Sequence, residues 1–182
     1  MKRLLIANRG EIAIRIARSA QSEGLITIGV APQDDHDALH ASTVDELITL
    51  PGDGLDAYSD IPALVAAART SGADAIHPGY GLLSEKGAFA KAVEDAGLIF
   101  VGPRPDTLDQ LGDKVAAVAL ARAEHVPVLT LRADVTAATS ARDLFDELGD
   151  DEALILKALS GGGGRGVRIV RNEQDLESAL KR

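Results

Sequence analysis

Short apolar runs alternate with amphipathic helical stripes through the first hundred residues, and this alternation limits the fold more than any other feature. Leu4–Ile6, Ile26–Val30, Glu46–Leu50, Ala73–His77 and Leu98–Val101 read as five strands. Between the first two, Asn8 followed by Glu11 resembles a capping box, and Ile12, Ile16 and Ala20 recur at helical spacing. Gly24 suits the left-handed position that closes such a helix. A short helical stretch is expected at Ala38–Ser42. Asp60 is expected to cap a helix running through Leu64, Val65 and Ala68 to Gly72, and Ser84 to open another that reaches Gly97. Strands that alternate with helices pair in parallel through right-handed crossovers. The opening region therefore reads as an open parallel α/β layer, in which ligands sit at the carboxyl ends of the strands. Three segments fall there: Asn8-Arg9-Gly10-Glu11, His77-Pro78-Gly79-Tyr80-Gly81 and Gly102-Pro103-Arg104.

The rest of the chain reads differently. Two helical patterns occupy 105–125, the second starting at Gly112-Asp113-Lys114. Val128–Leu131 reads as a strand after Pro127, and Thr139 or Ser140 as the cap of a helix through Leu144, Phe145 and Leu148. Ala153–Lys157 is then an apolar strand carrying one lysine. The loop Ser160-Gly161-Gly162-Gly163-Gly164-Arg165-Gly166 follows, then a β-branched run, Val167–Val170. Asn172 caps a last helix, Glu173–Leu180. Four consecutive glycines leave backbone N–H groups unshielded and free to turn left-handed, a composition that closes over phosphates. Lys157 and Arg165 supply positive charge beside them. Gly161, Gly163 and Gly166 match the spacing of a dinucleotide fingerprint, but that motif opens a helix, whereas a strand follows here. No Lys-Ser/Thr pair ends the loop, which excludes a Walker A motif. A glycine-tipped hairpin remains, either covering a nucleotide's phosphates or serving as a plain flexible tip.

Composition narrows the partners. Of 182 residues 46% are apolar and only 3% aromatic, so the core must be built from Ala, Leu, Ile and Val. The net charge of -9 argues against a general nucleic-acid or anionic-membrane binder, so any phosphate site must be a local basic patch. The chain has no Cys, which removes disulfides, thiolate metal sites and a Cys nucleophile. The basic start is followed by an apolar run that stops at Asn8, too short for a signal peptide, and no run approaches membrane-spanning length. The expected setting is cytoplasmic.

Six motifs occur in one order: Ile6-Ala-Asn-Arg-Gly-Glu-Ile-Ala13, Asp37-Ala-Leu-His40, Ala75-Ile-His-Pro-Gly-Tyr-Gly81, Phe100-Val-Gly-Pro103, Gly112-Asp-Lys114 and Lys157–Gly166. Together they resemble the amino-terminal half of biotin carboxylase, the ATP-dependent module of acetyl-CoA, propionyl-CoA and pyruvate carboxylases. The resemblance covers essentially the whole chain. It implies a Rossmann-like open parallel sheet as a pre-ATP-grasp domain over 1–110, followed over 111–182 by the beginning of an ATP-grasp domain that includes its lid segment. It also implies a ligase that forms carboxyphosphate from ATP and bicarbonate and carboxylates biotin. The biotin is held on a carrier protein or domain and serves a carboxyltransferase component, and a homodimer is a frequent assembly. By the same resemblance Lys114 lies near the phosphates and Lys157 contacts ATP. Gly161, Gly162, Gly163, Gly164, Arg165 and Gly166 fold over the nucleotide, while Tyr80 stands near the biotin pocket with Glu85 close by. The family's Mg²⁺-binding glutamates, bicarbonate arginine and catalytic base have no counterpart in these residues, so the isolated chain is expected to be inactive. Leu82, Lys86 and Leu129–Arg132 depart from the family pattern.

Plainer readings stand beside these. His36 and His40, four apart among Asp34, Asp35 and Asp37, are a metal pair or, more simply, an exposed acidic helix start. His77 reads as a buried, hydrogen-bonded structural histidine, and Arg9 and Glu11 as local capping and pairing residues rather than ligand contacts. Two rival functions are another ATP-grasp ligase and a non-catalytic assembly module with the same opening fold.

Overall fold

The computed structural model describes residues 1–129, 138–147, 153–157 and 167–180. Its residues fall into two compact units, Met1–Asp113 and Lys114–Arg182.

In the first unit β1 (Arg3–Ile6), β2 (Ile26–Pro32), β3 (Glu46–Leu50), β4 (Ala75–His77) and β5 (Ile99–Phe100) form one sheet in the order β3-β2-β1-β4-β5. Every pairing is parallel, with Leu5 opposite both Ile28 and Ile76. Five helices accompany the sheet: α1 (Gly10–Ser22), α2 (Gly54–Ala57), α3 (Ile61–Thr70), α4 (Gly87–Asp95) and α5 (Pro105–Gly112).

Alternating side chains of β1 serve two cores. Leu4 and Ile6 pack with Ala75 against Ala13, Ile16, Ala17 and Ala20 of α1. Leu5, with Ile28, Val30 and Ile76, packs against Leu64, Ala67 and Ala68 of α3 and Phe89, Ala90 and Val93 of α4. A parallel sheet covered on both faces needs apolar residues at consecutive positions. This is why these strands read as continuous apolar runs. Phe89 meets Phe100 edge-on, with ring centroids 5.8 Å apart.

The expected strands are present, with the fourth and fifth shorter than the sequence suggests. Several local expectations fail. Ala38–Ser42 forms hydrogen-bonded turns instead of a helix, because His40 turns inward and is buried. α4 starts at Gly87, not at Ser84, whose N–H is drawn into a turn by the Gly81 carbonyl at 2.9 Å. Asp60 does cap α3, accepting from the Ala63 N–H at 3.0 Å.

In the second unit α6 (Lys114–Ala123) and α7 (Ala138–Asp146) precede β6 (Leu154–Lys157), β7 (Val167–Val170) and α8 (Glu173–Leu180). β6 and β7 pair antiparallel, Lys157 opposite Val167. One face of this ribbon buries Leu154 and Val170 with Ala141 and Leu176. On the other, Ile155 and Ile169 face each other while 48% and 53% exposed. Asn172 caps α8 as expected, its Oδ1 accepting from the Asp175 N–H at 2.8 Å. Val128 and Leu129 are not in a strand, and the remainder of that expected strand lies outside the described residues. α7 begins at Ala138, ahead of Thr139 and Ser140.

Candidate functional site

The strand order reverses between β1 and β4, and the loops leaving these two strands meet there. Such a switch point opens a crevice at the carboxyl end of an α/β sheet. The Ala7 N–H donates to the His77 carbonyl at 2.9 Å, extending the ladder by one bond. Beyond it Asn8, only 4% exposed, donates from Nδ2 to the carbonyls of Pro78 at 2.7 Å and Tyr80 at 2.9 Å. Its Oδ1 accepts from the Arg9 N–H at 2.8 Å. Asn8 is therefore not the cap of α1. That place falls to Arg9, whose side chain makes no capping bond. Nor does Glu11 return to Asn8: its Oε1 accepts from the Tyr80 hydroxyl at 2.8 Å. The bond to Glu11 raises the Tyr80 phenol above the ordinary tyrosine range.

Gly79 and Gly81 have φ of +68° and +64°, and Leu82 shares the left-handed region at +44°. Gly79 packs so tightly that an added Cβ would stand 2.6 Å from Asn8 Nδ2. His77 is hydrogen-bonded, Nδ1 accepting from the Gly79 N–H at 3.0 Å, and burial lowers its pKa and so favours the neutral ring.

A second cluster joins the loops after β1 and β2. Arg9 Nε and Nη2 reach Asp35 Oδ2 and Oδ1 at 2.7 and 3.0 Å. Asp35 Oδ2 also accepts from the Tyr58 hydroxyl at 2.8 Å, and the Arg9 guanidinium lies 5.7 Å from the Tyr58 ring centroid. Hydrogen bonding from Arg9 holds the Asp35 carboxyl below the usual range, while burial pushes the Tyr58 phenol up. His40 Nε2 lies 3.2 Å from the Tyr58 hydroxyl, and burial lowers the His40 pKa. His36 stands apart from it, bonded to Thr49 Oγ1 at 3.1 Å. Arg9 is thus a pairing residue, but its partner Asp35 lies 26 positions away instead of on the adjacent turn, and its side chain makes no capping bond. Among the described residues no three His, Cys, Asp or Glu side chains converge on a cation site.

A small cleft of about 230 Å³ is lined by Glu85, Lys86, Gly87, Ala88, Leu108, Asp109 and Gly112. Glu85 therefore borders a concave surface of the first unit. Tyr80, in the same unit, is 59% exposed at the crossover. Lys114 is the exposed first residue of α6, and the backbone of Lys157 ends β6; both belong to the second unit. Gly161–Gly166, Arg165 among them, lie outside the described residues.

Tyr58, which has no periodic signal, was missed in sequence, and Asp35 stood out only as one of the acidic neighbours of His36 and His40. Tyr58 is nevertheless one of only two tyrosines in an aromatic-poor chain, and full burial of a residue with a polar hydroxyl calls for a partner.

Comparison with known proteins extends this picture. Residues 1–108 match the family described as biotin carboxylase, N-terminal domain. The biotin carboxylase of Allochromatium vinosum is 40% identical over 99% of this chain and 40% of its own length. The mitochondrial pyruvate carboxylase of Rattus norvegicus is 40% identical over all of this chain and 16% of its own. The chain thus spans well under half the length of these relatives. Among solved structures, the biotin carboxylase domain dimer of Hydrogenobacter thermophilus 2-oxoglutarate carboxylase, in complex with MgADP, ADP and bicarbonate, superposes with a TM-score of 0.90. It is 35% identical, covering 99% of this chain and 40% of that one.

Proposed function

Since the chain belongs to the biotin carboxylase N-terminal domain family, we propose that it contributes the opening part of a biotin carboxylase, which uses ATP and bicarbonate to carboxylate carrier-held biotin through carboxyphosphate. The observation that carries this reading is the 40% identity maintained over 99% of the chain with a biotin carboxylase. Both of this chain's units are included in that match.

On this reading Lys114 and Lys157 offset part of the triphosphate's negative charge. Gly161, Gly162, Gly163, Gly164 and Gly166 offer backbone N–H groups to its oxygens, and Arg165 adds a cation. Together they favour the transition state of phosphoryl transfer to bicarbonate, where charge spreads over the transferred group. Tyr80 lines the biotin pocket. Magnesium would neutralise phosphate charge, but the described residues provide no ligand set for it. A biotin carrier, a carboxyltransferase component, pairing into a dimer and a cytoplasmic setting belong to the same proposal. No helix among the described residues is long and apolar enough to cross a membrane.

The test is biotin-dependent fixation of labelled bicarbonate by the intact protein with MgATP. Lys157→Ala and Lys114→Ala should each reduce turnover by about tenfold or more, as expected when a charge-assisted contact to phosphate is removed. Full turnover in both variants would favour a non-catalytic assembly role. ATP turnover indifferent to biotin would favour another ligase.

A further inference from the structure

The turn that carries Tyr80 is held from the loop after β1 by a residue that meets its own hydrogen-bonding needs there. Buried Asn8 gives its Nδ2 hydrogens to the Pro78 and Tyr80 carbonyls and takes the Arg9 N–H on Oδ1. Gly79, Gly81 and Leu82 all run left-handed. Such a conformation at Leu82 persists only when its surroundings over-determine it. Asn8 is one such constraint, because Gly79 lies directly against its carboxamide. The backbone of Tyr80 is therefore pinned while its ring stands 59% exposed. An exposed ring of this kind ordinarily samples several rotamers. Here its hydroxyl donates to Glu11 Oε1 at 2.8 Å, across from the first turn of α1. A charged acceptor makes that bond stronger than a neutral one.

The geometry points to Asn8 and Glu11 as the positioning residues of Tyr80: Asn8 sets the backbone from which the ring projects, and Glu11 holds the hydroxyl so that the ring face is presented to the ligand. This rests on the reading of Tyr80 as a wall of the biotin pocket and deepens it by naming what orients the wall. It also defines the contact chemically. The hydroxyl hydrogen is engaged by Glu11, so Tyr80 meets the ligand with its apolar face and does not donate to it. The pocket is thereby suited to the flat, weakly polar bicycle of biotin.

The test uses the intact protein, free biotin as probe, and the variants Glu11→Ala, Glu11→Gln, Tyr80→Phe, Asn8→Asp and the Glu11→Ala/Tyr80→Phe pair. Loss of one exposed hydrogen bond should raise the KM for biotin about two- to fivefold in Glu11→Ala and in Tyr80→Phe, with kcat and the KM for ATP little changed. The double variant should be no worse than the poorer single, because either change removes the same bond. Glu11→Gln, which keeps an acceptor oxygen, should recover part of the loss. Asn8→Asp, which sets a carboxylate against two carbonyls, should raise that KM more than either single change. Additive effects in the double variant, or equal rises in the KM for ATP, would overturn the inference.

A readout independent of turnover separates this inference from the proposed function. In protein labelled with ¹³C-tyrosine, Tyr80→Phe and Tyr58→Phe assign the ring signals of these two residues. Glu11→Ala should shift and broaden the Tyr80 signal and leave that of Tyr58 in place. An unmoved Tyr80 signal would sink the positioning role even in an active enzyme. A shifted signal in a protein that fails to carboxylate biotin would leave the Glu11 contact standing and count against the function alone.

Discussion

Arg9 and Asp35 form a two-pronged ion pair, Nε to Oδ2 at 2.7 Å and Nη2 to Oδ1 at 3.0 Å, that fastens the loop after β1 to the loop after β2. The planar guanidinium matches both carboxylate oxygens, an arrangement a lysine cannot reproduce. Because Asp35 Oδ2 also accepts from Tyr58, one carboxylate anchors two partners on different segments.

Asp35→Ala should therefore cost more than an ordinary surface pair, since it leaves the hydroxyl of buried Tyr58 without this acceptor. The expected loss is about 2 kcal/mol, seen as a melting temperature lower by roughly 4–8 °C for a chain of this size. Arg9→Lys should lose a substantial part of the same amount. Thermal unfolding followed by circular dichroism decides it, and an unchanged midpoint in Asp35→Ala would show that the pair contributes nothing.

Stability should decline with acid in two stages. His40 and His77 have pKa values lowered by burial, so the unfolded chain binds more protons than the folded one just below the ordinary histidine pKa of about 6.5. Their contribution is complete above that pH and is lost as pH falls through their folded values. Asp35, Asp45 and Asp74 are lowered as well. The causes are the Arg9 guanidinium, the Thr27 backbone N–H and the Lys2 backbone N–H, respectively. Their contribution is present above the unfolded aspartate pKa of about 3.9 and lost below it. Urea midpoints measured from pH 8 to pH 3 should fall gently and then steeply, and His40→Gln should flatten the first stage. A midpoint constant between pH 7 and pH 5 would contradict the histidine contribution.

Gly79 and Gly81 have similar φ but different surroundings. Alanine at Gly81 meets nothing within 4 Å and should cost only the left-handed penalty, about 1–2 kcal/mol. Alanine at Gly79 adds a Cβ 2.6 Å from Asn8 Nδ2, so it should cost at least about 1 kcal/mol more through the Pro78 and Tyr80 hydrogen bonds. Chemical denaturation of the two variants compares them directly, and equal losses would mean that Asn8 yields freely.

Gly87 opens α4 at ordinary φ, yet a Cβ there would lie 2.2 Å from Asp109 Oδ1. Gly87→Ala should destabilise the protein by no more than about 1 kcal/mol, below the usual range for overpacking, because the atoms it meets are the carboxylate end of the exposed Asp109 side chain. In an Asp109→Ala background the same change should be close to neutral. A double-mutant cycle on thermal midpoints would expose the coupling, and additivity would show that the Asp109 side chain swings away without cost.

What the amino-acid order determined alone is the framework. Glu46–Leu50 was read to the residue because a bounded apolar run between turns has few other uses. The parallel layer followed because apolar runs separated by helical stripes must be buried on both faces. What only the tertiary structure decided is where the polar side chains went. Asn8 and Glu11 carry a local capping pattern, yet Asn8 joins Pro78 and Tyr80, and Glu11 joins Tyr80, some seventy residues away. Ala38–Ser42 looked helical until His40 turned inward beside Tyr58. A periodic pattern records which face an element buries, so it survives in the sequence. A hydrogen bond across the crossover depends on two distant strands pairing in register first, and no local spacing records that.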